Sequence, residues 1–295
     1  MKSIHTLIPD IYDLVGKRTG WFDEALASDL GREITLKVTE RFAEKERKRG
    51  LRLSAMGKTC PCALWHSVNK PELAESIPGW VQIKFMYGDI LEALVISLAK
   101  AAGHTVEGEQ DAVTVDGIVG HRDCVIDGYL VDVKSANSRS FEKFKQKTLA
   151  DDPFSSAYLD QLDGYLVGCA NDPIVQHKTR GYLLAIDKVL GHMVLYEHTL
   201  REASIRRRVA EYKEIVARPS APACECGEVP DGSSGNIKLD LKASYNGFKY
   251  CCKPHLRTFL YSDGPRHLTK VVKQPRNAQG LITEVDRNGK IVYNG

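Results

Sequence analysis

The run from Gly120 to Lys134 constrains this chain more than any other: Gly120-His121-Arg122-Asp123, then Val125-Ile126, then Asp127-Gly128, then Tyr129-Leu130-Val131-Asp132-Val133-Lys134. Asp-Gly between β-forming residues predicts a tight hairpin. Side chains alternate along a strand, so Val131 and Val133 face one way and Asp132 and Lys134 the other. The turn brings Asp123 back beside Asp132. Two carboxylates and a lysine then meet at one sheet edge, a set of groups that calls for a divalent cation.

The rest of the chain supplies elements to pack around that hairpin. Trp21 to Arg49 reads as a long, charge-rich helix that ends in Glu44-Lys45-Glu46-Arg47-Lys48-Arg49 and stops at Gly50. Val81 to Ala102 predicts a helix stopped by Gly103. Its stretch Ile90 to Ala99 is apolar almost all round and therefore buried, with Glu92 inside it. A buried carboxylate needs a positive partner. Ala112 to Val119 alternates as a strand. Helical patterns follow at Ser140 to Leu149 and Ser155 to Val167, strands at Gly181 to Ile186 and His192 to His198, and a basic helix at Leu200 to Ala217. From Arg218 the texture changes: Pro219 to Pro222 and Asp231 to Gly235 are loop-like, four cysteines follow Arg218, and a last hairpin turns about Asn288-Gly289. The fold class is α/β: a core with a mixed central sheet flanked by helices over 51–217, a helical segment over 1–50, and a cysteine-bearing extension over 218–295.

At 295 residues, 43% hydrophobic and 27% charged, the chain can form a packed core. The formal net charge of +3 excludes a blanket polycation, so affinity for nucleic acid has to come from a local patch. No apolar run approaches the roughly 20 residues of a membrane span. Met1 to Asp10 lacks a secretion signal, so a cytoplasmic protein is expected, with reduced cysteines.

The hairpin set suits phosphodiester hydrolysis. Carboxylates hold Mg²⁺ or Mn²⁺, which acidifies water and stabilises transition-state oxygens. A neighbouring lysine orients the water and offsets phosphate charge. Glu92 supplies a third carboxylate.

Four pieces, in order, resemble the PD-(D/E)XK nucleases in their RecB-like exonuclease branch, which includes phage recombination exonucleases and CRISPR-associated RecB-like exonucleases. Leu51-Arg52-Leu53-Ser54 through Gly57-Lys58-Thr59-Cys60, with Leu64-Trp65, is similar to the segment that opens many phage members. Tyr87-Gly88-Asp89-Ile90-Leu91-Glu92 resembles the first-motif helix. Gly120 to Lys134 resembles the second and third motifs. Gln161 and Tyr165 resemble the Gln-x3-Tyr element of the branch. The resemblance covers Leu51 to Gly168 and implies a restriction-endonuclease-like core.

It implies a catalytic set of Glu92, Asp123, Asp132, Lys134, Gln161 and Tyr165, with the metal on Glu92, Asp123, Asp132 and the Val133 carbonyl. It also implies that Arg52 and Ser54, read as lying at a helix start, hold a terminal phosphate. Ser54 as a simple cap is the alternative. His121 is a candidate for substrate or metal, or for a structural hydrogen bond. Arg206, Arg207 and Arg208, with Lys143, Lys145 and Lys147, are candidate backbone contacts. Phe141 and Phe144 read as core.

Cys224-x-Cys226 and Cys251-Cys252, with His255 nearby, are candidate zinc ligands, although adjacent cysteines chelate poorly. Many members of the resembled branch carry an iron–sulfur cluster on one cysteine before the core and a C-x2-C-x5-C group after it. Cys60 or Cys62 fits the first place. Counting back from Cys252, the other two places hold Ala243 and Asn246, which cannot ligate iron. Zinc, a rearranged cluster and no metal all stay open for Cys60, Cys224, Cys226, Cys251 and Cys252. Cys124 and Cys169 read as buried apolar side chains.

The function expected is a Mg²⁺- or Mn²⁺-dependent DNA exonuclease of phage type in recombination, repair or degradation, acting in the host cytoplasm. A single-strand annealing or binding protein is a candidate partner, and an oligomer is possible. The alternatives are an endonuclease of the same fold, structure-selective or nicking, and a catalytically idle module that binds DNA or protein.

Overall fold

The computed structural model describes residues 2–17, 23–43, 50–57, 60–152, 154–278 and 280–292. The chain divides into two compact units: Met1–Glu46, Arg52–Gly57 and Ile77–Val209 form one, and Arg47–Leu51, Lys58–Ser76 and Ala210–Gly295 the other. This division differs from the expected boundaries. The N-terminal helices belong with the core, and the segment after Gly57 belongs with the tail.

The first unit is mixed α/β. Helices α1 (Leu7–Gly16) and α2 (Glu24–Phe42) precede α4 (Gly79–Ala101). The charge run at 44–49 and the expected helix start at Trp21 lie outside the described residues. The central sheet has the order β1 (Val106–Glu107), β4 (Cys124–Ile126), β5 (Tyr129–Ala136), β6 (Arg180–Asp187), β7 (Met193–Thr199). Only β5 and β6 run parallel, and the crossover between them carries α5 (Ser138–Lys145) and α6 (Ser156–Gly168).

One sheet face buries Val131, Val133, Leu184 and Ile186 under Ile4, Leu7 and Ile11 at the N-terminus and Val95, Ile96 and Ala99 of α4. That apolar run of α4 is buried as its composition requires. Asp127 and Gly128 both take positive φ, 50° and 81°, as the β4–β5 turn demands. The expected single strand at Ala112 to Val119 is instead a hairpin, β2 (Ala112–Val115) and β3 (Ile118–His121). A second Asp-Gly pair breaks it, with Asp116 at φ 47° and Gly117 at φ 82°.

Helix α7 (Glu202–Ala217) begins in the first unit and ends in the second. The second unit holds α3 (Pro61–Asn69), α8 (Leu241–Ser244) and α9 (Lys249–Cys252). It also holds an antiparallel sheet in the order β14 (Glu284–Val285), β10 (Arg257–Tyr261), β11 (Gly264–Lys270), β9 (Ile237–Leu239), β8 (Glu228–Pro230). A two-residue pair, β12 (Arg276–Asn277) and β13 (Gly280–Leu281), lies between β11 and β14 in the chain. Phe259, Leu268 and Ile282 form this unit's small core. The tail is therefore a folded sheet, and the loop-like stretches at 219–222 and 231–235 lie outside its strands, as expected. Among the described residues no helix is long and apolar enough to cross a membrane.

Candidate active site

Asp123, Asp132 and Glu92 lie near enough to act on one another's charge, where β5 runs on past the end of β4, and Lys134 and Lys37 pair with Asp132 and Glu92. Strand β5 places Asp132 and Lys134 on the face opposite Val131 and Val133. Asp132 is 1% exposed, and Lys134 ion-pairs with its Oδ2. Neither oxygen of Asp132 receives an aligned hydrogen bond from any described residue. A buried carboxylate met by one ammonium at one oxygen still has coordination to spare, which a bound cation would satisfy.

Asp123 immediately precedes β4, whose pairing with β5 ends at Cys124 and Val131. Beyond that last pair, Val133 N–H donates to Asp123 Oδ2 at 2.7 Å. The N–H and C=O of one strand residue leave the same edge, so the Val133 carbonyl issues on the Asp123 side as well. Burial, then the charges of Asp132 and Glu92, push the Asp123 carboxyl well above the usual carboxylate range.

Glu92 comes from α4. Burial raises its carboxyl, and the charge of Lys37 offsets that only in part. Its Oε1 accepts from Lys37 Nζ at 2.9 Å and from Gln110 Nε2 at 2.8 Å. Oε2 takes no hydrogen bond from a described residue and is not sealed from the pocket lined by Lys37, Glu92, Gln110 and Asp123. Burial opposes the charge on Lys134, but Asp132 and Asp123 outweigh it and raise its pKa. Its ammonium also lies 5.2 Å from the centre of the Tyr158 ring.

Lys37 and Gln110 are functional candidates that sequence reasoning missed. Lys37 sits among similar charges on α2, and Glu92 is 55 residues away in the chain, so no local signal marks it. Gln110 is placed by its backbone, whose N–H donates to Asp123 O at 3.2 Å.

Gln161 and Tyr165 are near neighbours on α6, and Gln161 Nε2 donates to Tyr165 Oη at 2.8 Å. Tyr165 is buried rather than open to substrate, and burial pushes its phenol up to about 12. A Cβ at Gly120 would stand 2.6 Å from the Tyr165 ring and 2.8 Å from Leu53 Cβ. Gly120 thus sits before Asp123 because nothing larger fits.

Several expected contacts differ. Arg52 precedes a single 3₁₀ turn, Leu53–Ala55, and Ser54 lies within it, so neither stands at the start of an α-helix; both side chains are exposed. Lys58 and Thr59 of the same motif lie outside the described residues. His121 is exposed at the end of β3 and makes no hydrogen bond to a described residue. In the basic run, Arg206 pairs with Glu202 at 2.8 Å and Arg208 is held by Asp160 and the Met56 carbonyl. Arg207 is exposed. Lys143 pairs with Asp152 at 2.8 Å and Lys145 with Glu142 at 3.6 Å, and the exposed Lys147 follows α5. Phe141 and Phe144 are core, as expected.

In the second unit Cys60, Cys224, Cys226 and Cys252 gather with their sulfurs all within 4.8 Å. Cys251 does not join them, because adjacent residues on α9 diverge: its sulfur lies 4.0 Å from the Leu73 carbonyl. Cys62 turns to His66 Nδ1 at 3.6 Å. Cys124 and Cys169 are buried, as expected.

No known family profile matches this chain, and no curated protein does. Among solved structures, SSO0001 is 16% identical, with a TM-score of 0.40 over 78% of this chain and 96% of that one. An alkaline exonuclease (LHK-Exo) from Laribacter hongkongensis is also 16% identical, with a TM-score of 0.37 over 56% of this chain and 88% of that one. Likenesses this slight carry no argument, so the chemistry has to come from the side chains.

Proposed function

We propose that the first unit is a DNA nuclease that hydrolyses phosphodiester bonds with Mg²⁺ or Mn²⁺. The observation that carries this reading is Asp132: a buried carboxylate whose charge is met by Lys134 alone, at Oδ2, and whose Oδ1 takes no hydrogen bond from a described residue, beside Asp123 and Glu92. The donor set, all oxygen and three of the four from carboxylates, fits a hard divalent cation. Asp132, Asp123, Glu92 Oε2 and the Val133 carbonyl would hold it. When bound, such a cation supplies Lewis-acid charge that acidifies water and neutralises phosphate.

The chain's own groups do the positioning. Val133 N–H fixes Asp123, while Lys37 and Gln110 fix Glu92 by one oxygen and leave the other available. Lys134 keeps its proton, so it orients water or a phosphate oxygen as a cation rather than acting as a base. Exposed Arg207, Arg52 and Lys147 are the candidate contacts to the DNA backbone. The mode favoured is exonucleolytic, by the resemblance in the sequence, in DNA recombination, repair or degradation.

The test is digestion of end-labelled linear duplex and closed circular DNA with Mg²⁺, Mn²⁺ or EDTA, alongside Lys134→Ala and Asp132→Ala. Metal-dependent loss of the linear DNA alone, at least about 100-fold slower in both variants, is expected. Cleavage of the circle moves the reading to an endonuclease. DNA binding without cleavage leaves only a binding module.

A further inference from the structure

We propose that Cys60, Cys224, Cys226 and Cys252 hold a single structural zinc ion, and not the iron–sulfur cluster that the resemblance implies. Three observations carry this, none of them from the nuclease centre.

The first is sulfur spacing. Cys60 Sγ lies 3.9 Å from Cys252 Sγ and 4.0 Å from Cys224 Sγ. Four thiolates about 2.3 Å from one tetrahedral Zn²⁺ stand roughly 3.8 Å apart. In a four-iron cluster each thiolate binds a different iron at a different corner and points outward, which spreads the sulfurs to on the order of 6 Å. The observed gap matches one ion. It is also too long for a disulfide bond of about 2 Å.

The second is what stands where cluster ligands would be. Ala243 offers no donor atom. Asn246 aims its amide at the group: Nδ2 lies 3.5 Å from Cys226 Sγ and 3.5 Å from Cys252 Sγ. A primary amide has two N–H groups, one for each sulfur. Cys226 N–H donates to Cys224 Sγ at 3.3 Å. Four thiolates around one Zn²⁺ carry a net double negative charge, and N–H donors to sulfur are the outer groups such a site needs. Asn246 is therefore a supporting donor rather than a lost ligand.

The third is the fold around it. Cys60 precedes α3, Cys224 and Cys226 lie in the loop after α7, and Cys252 ends α9. The buried apolar group there is small: Ala63 and Phe248 with Cys60, Cys62 and Cys252. A core that slight gains stability when an ion crosslinks segments 164 residues apart. All four positions are taken by protein, which marks a structural site.

The test is elemental analysis of the full chain, purified without oxygen from cells given both iron and zinc. About one zinc per chain is expected, with no acid-labile sulfide and no visible absorption. Cobalt exchanged into the site should give the intense visible bands of tetrahedral thiolate ligation. Those bands should persist in Cys251→Ser and vanish in Cys60→Ser. Iron with labile sulfide, no bound metal in the wild type, or loss of the bands in Cys251→Ser would each overturn the proposal.

Discussion

Asp123 shows how a candidate metal ligand strains the fold that carries it. Its carboxyl titrates well above the ordinary range, through burial first and then through Asp132 and Glu92. A group raised in this way binds protons in the folded chain that the unfolded chain has released. Its contribution to stability is present below about pH 4, where both states are protonated, and is lost as pH rises through the raised value. Other carboxyls are lowered and act the opposite way, Asp163 and Asp172 among them. The clean measurement is therefore a difference. Asp123→Asn removes the charge and keeps an oxygen for Val133 N–H. In EDTA at neutral pH it should melt a few degrees above the wild type, as a gain of about 1 kcal/mol gives in a domain of this size. The gap should close towards pH 4. Mn²⁺ should reverse the order by stabilising the wild type alone. A variant that melts lower in EDTA at every pH would show that Asp123 serves the fold and not an ion.

Helix α2 has no fully buried residue. It is tied to α4 by Lys37 on Glu92 and Arg41 on Asp89, while its apolar residues Leu26, Leu30, Ile34 and Val38 are half-buried. Because Lys37 and Gln110 share one oxygen of Glu92, they hold the other towards the pocket. Lys37→Met should weaken Mn²⁺ binding about 10–100-fold, the usual effect of losing a supporting partner. It should also speed amide exchange in α2. Tighter Mn²⁺ binding would make Lys37 a competitor of the ion instead. These long-range ties are what the sequence hid. The β4–β5 hairpin was legible because Asp127-Gly128 and the alternating valines are local signals. The hairpin at Asp116-Gly117 carries the same signal but lies inside an alternation that reads as one strand. Strands of two or three residues in the tail, such as β8 and β14, have too few positions for a period to show. The cysteine site was half legible. Cys60, Cys224, Cys226, Cys251 and Cys252 stood together as candidates, and only the turn of α9 separates Cys252 from Cys251.

At the scale of the whole chain, two compact units each gather one cluster of metal-ligating side chains of opposite chemistry. Candidate oxygen donors at Asp123, Asp132 and Glu92, which feel one another's charge, lie in the first unit, and the sulfurs of Cys60, Cys224, Cys226 and Cys252 gather in the second. Hard oxygens select Mg²⁺ or Mn²⁺ and soft sulfurs select zinc, so the two sites should not exchange ions. Each ion stabilises only the unit that binds it, which makes the melting curve a readout of both. Thermal unfolding should show two transitions, since the units have separate cores. Mn²⁺ at about 100 times its Kd adds close to 3 kcal/mol and should raise one transition only. A strong zinc chelator should lower the other and leave Mn²⁺ binding intact. Asp132→Asn should abolish the Mn²⁺ shift and Cys60→Ser the chelator shift, neither touching the other. A single transition that answers to both ions would mean that the units unfold together, and that the cysteine site supports the catalytic edge as well as its own unit.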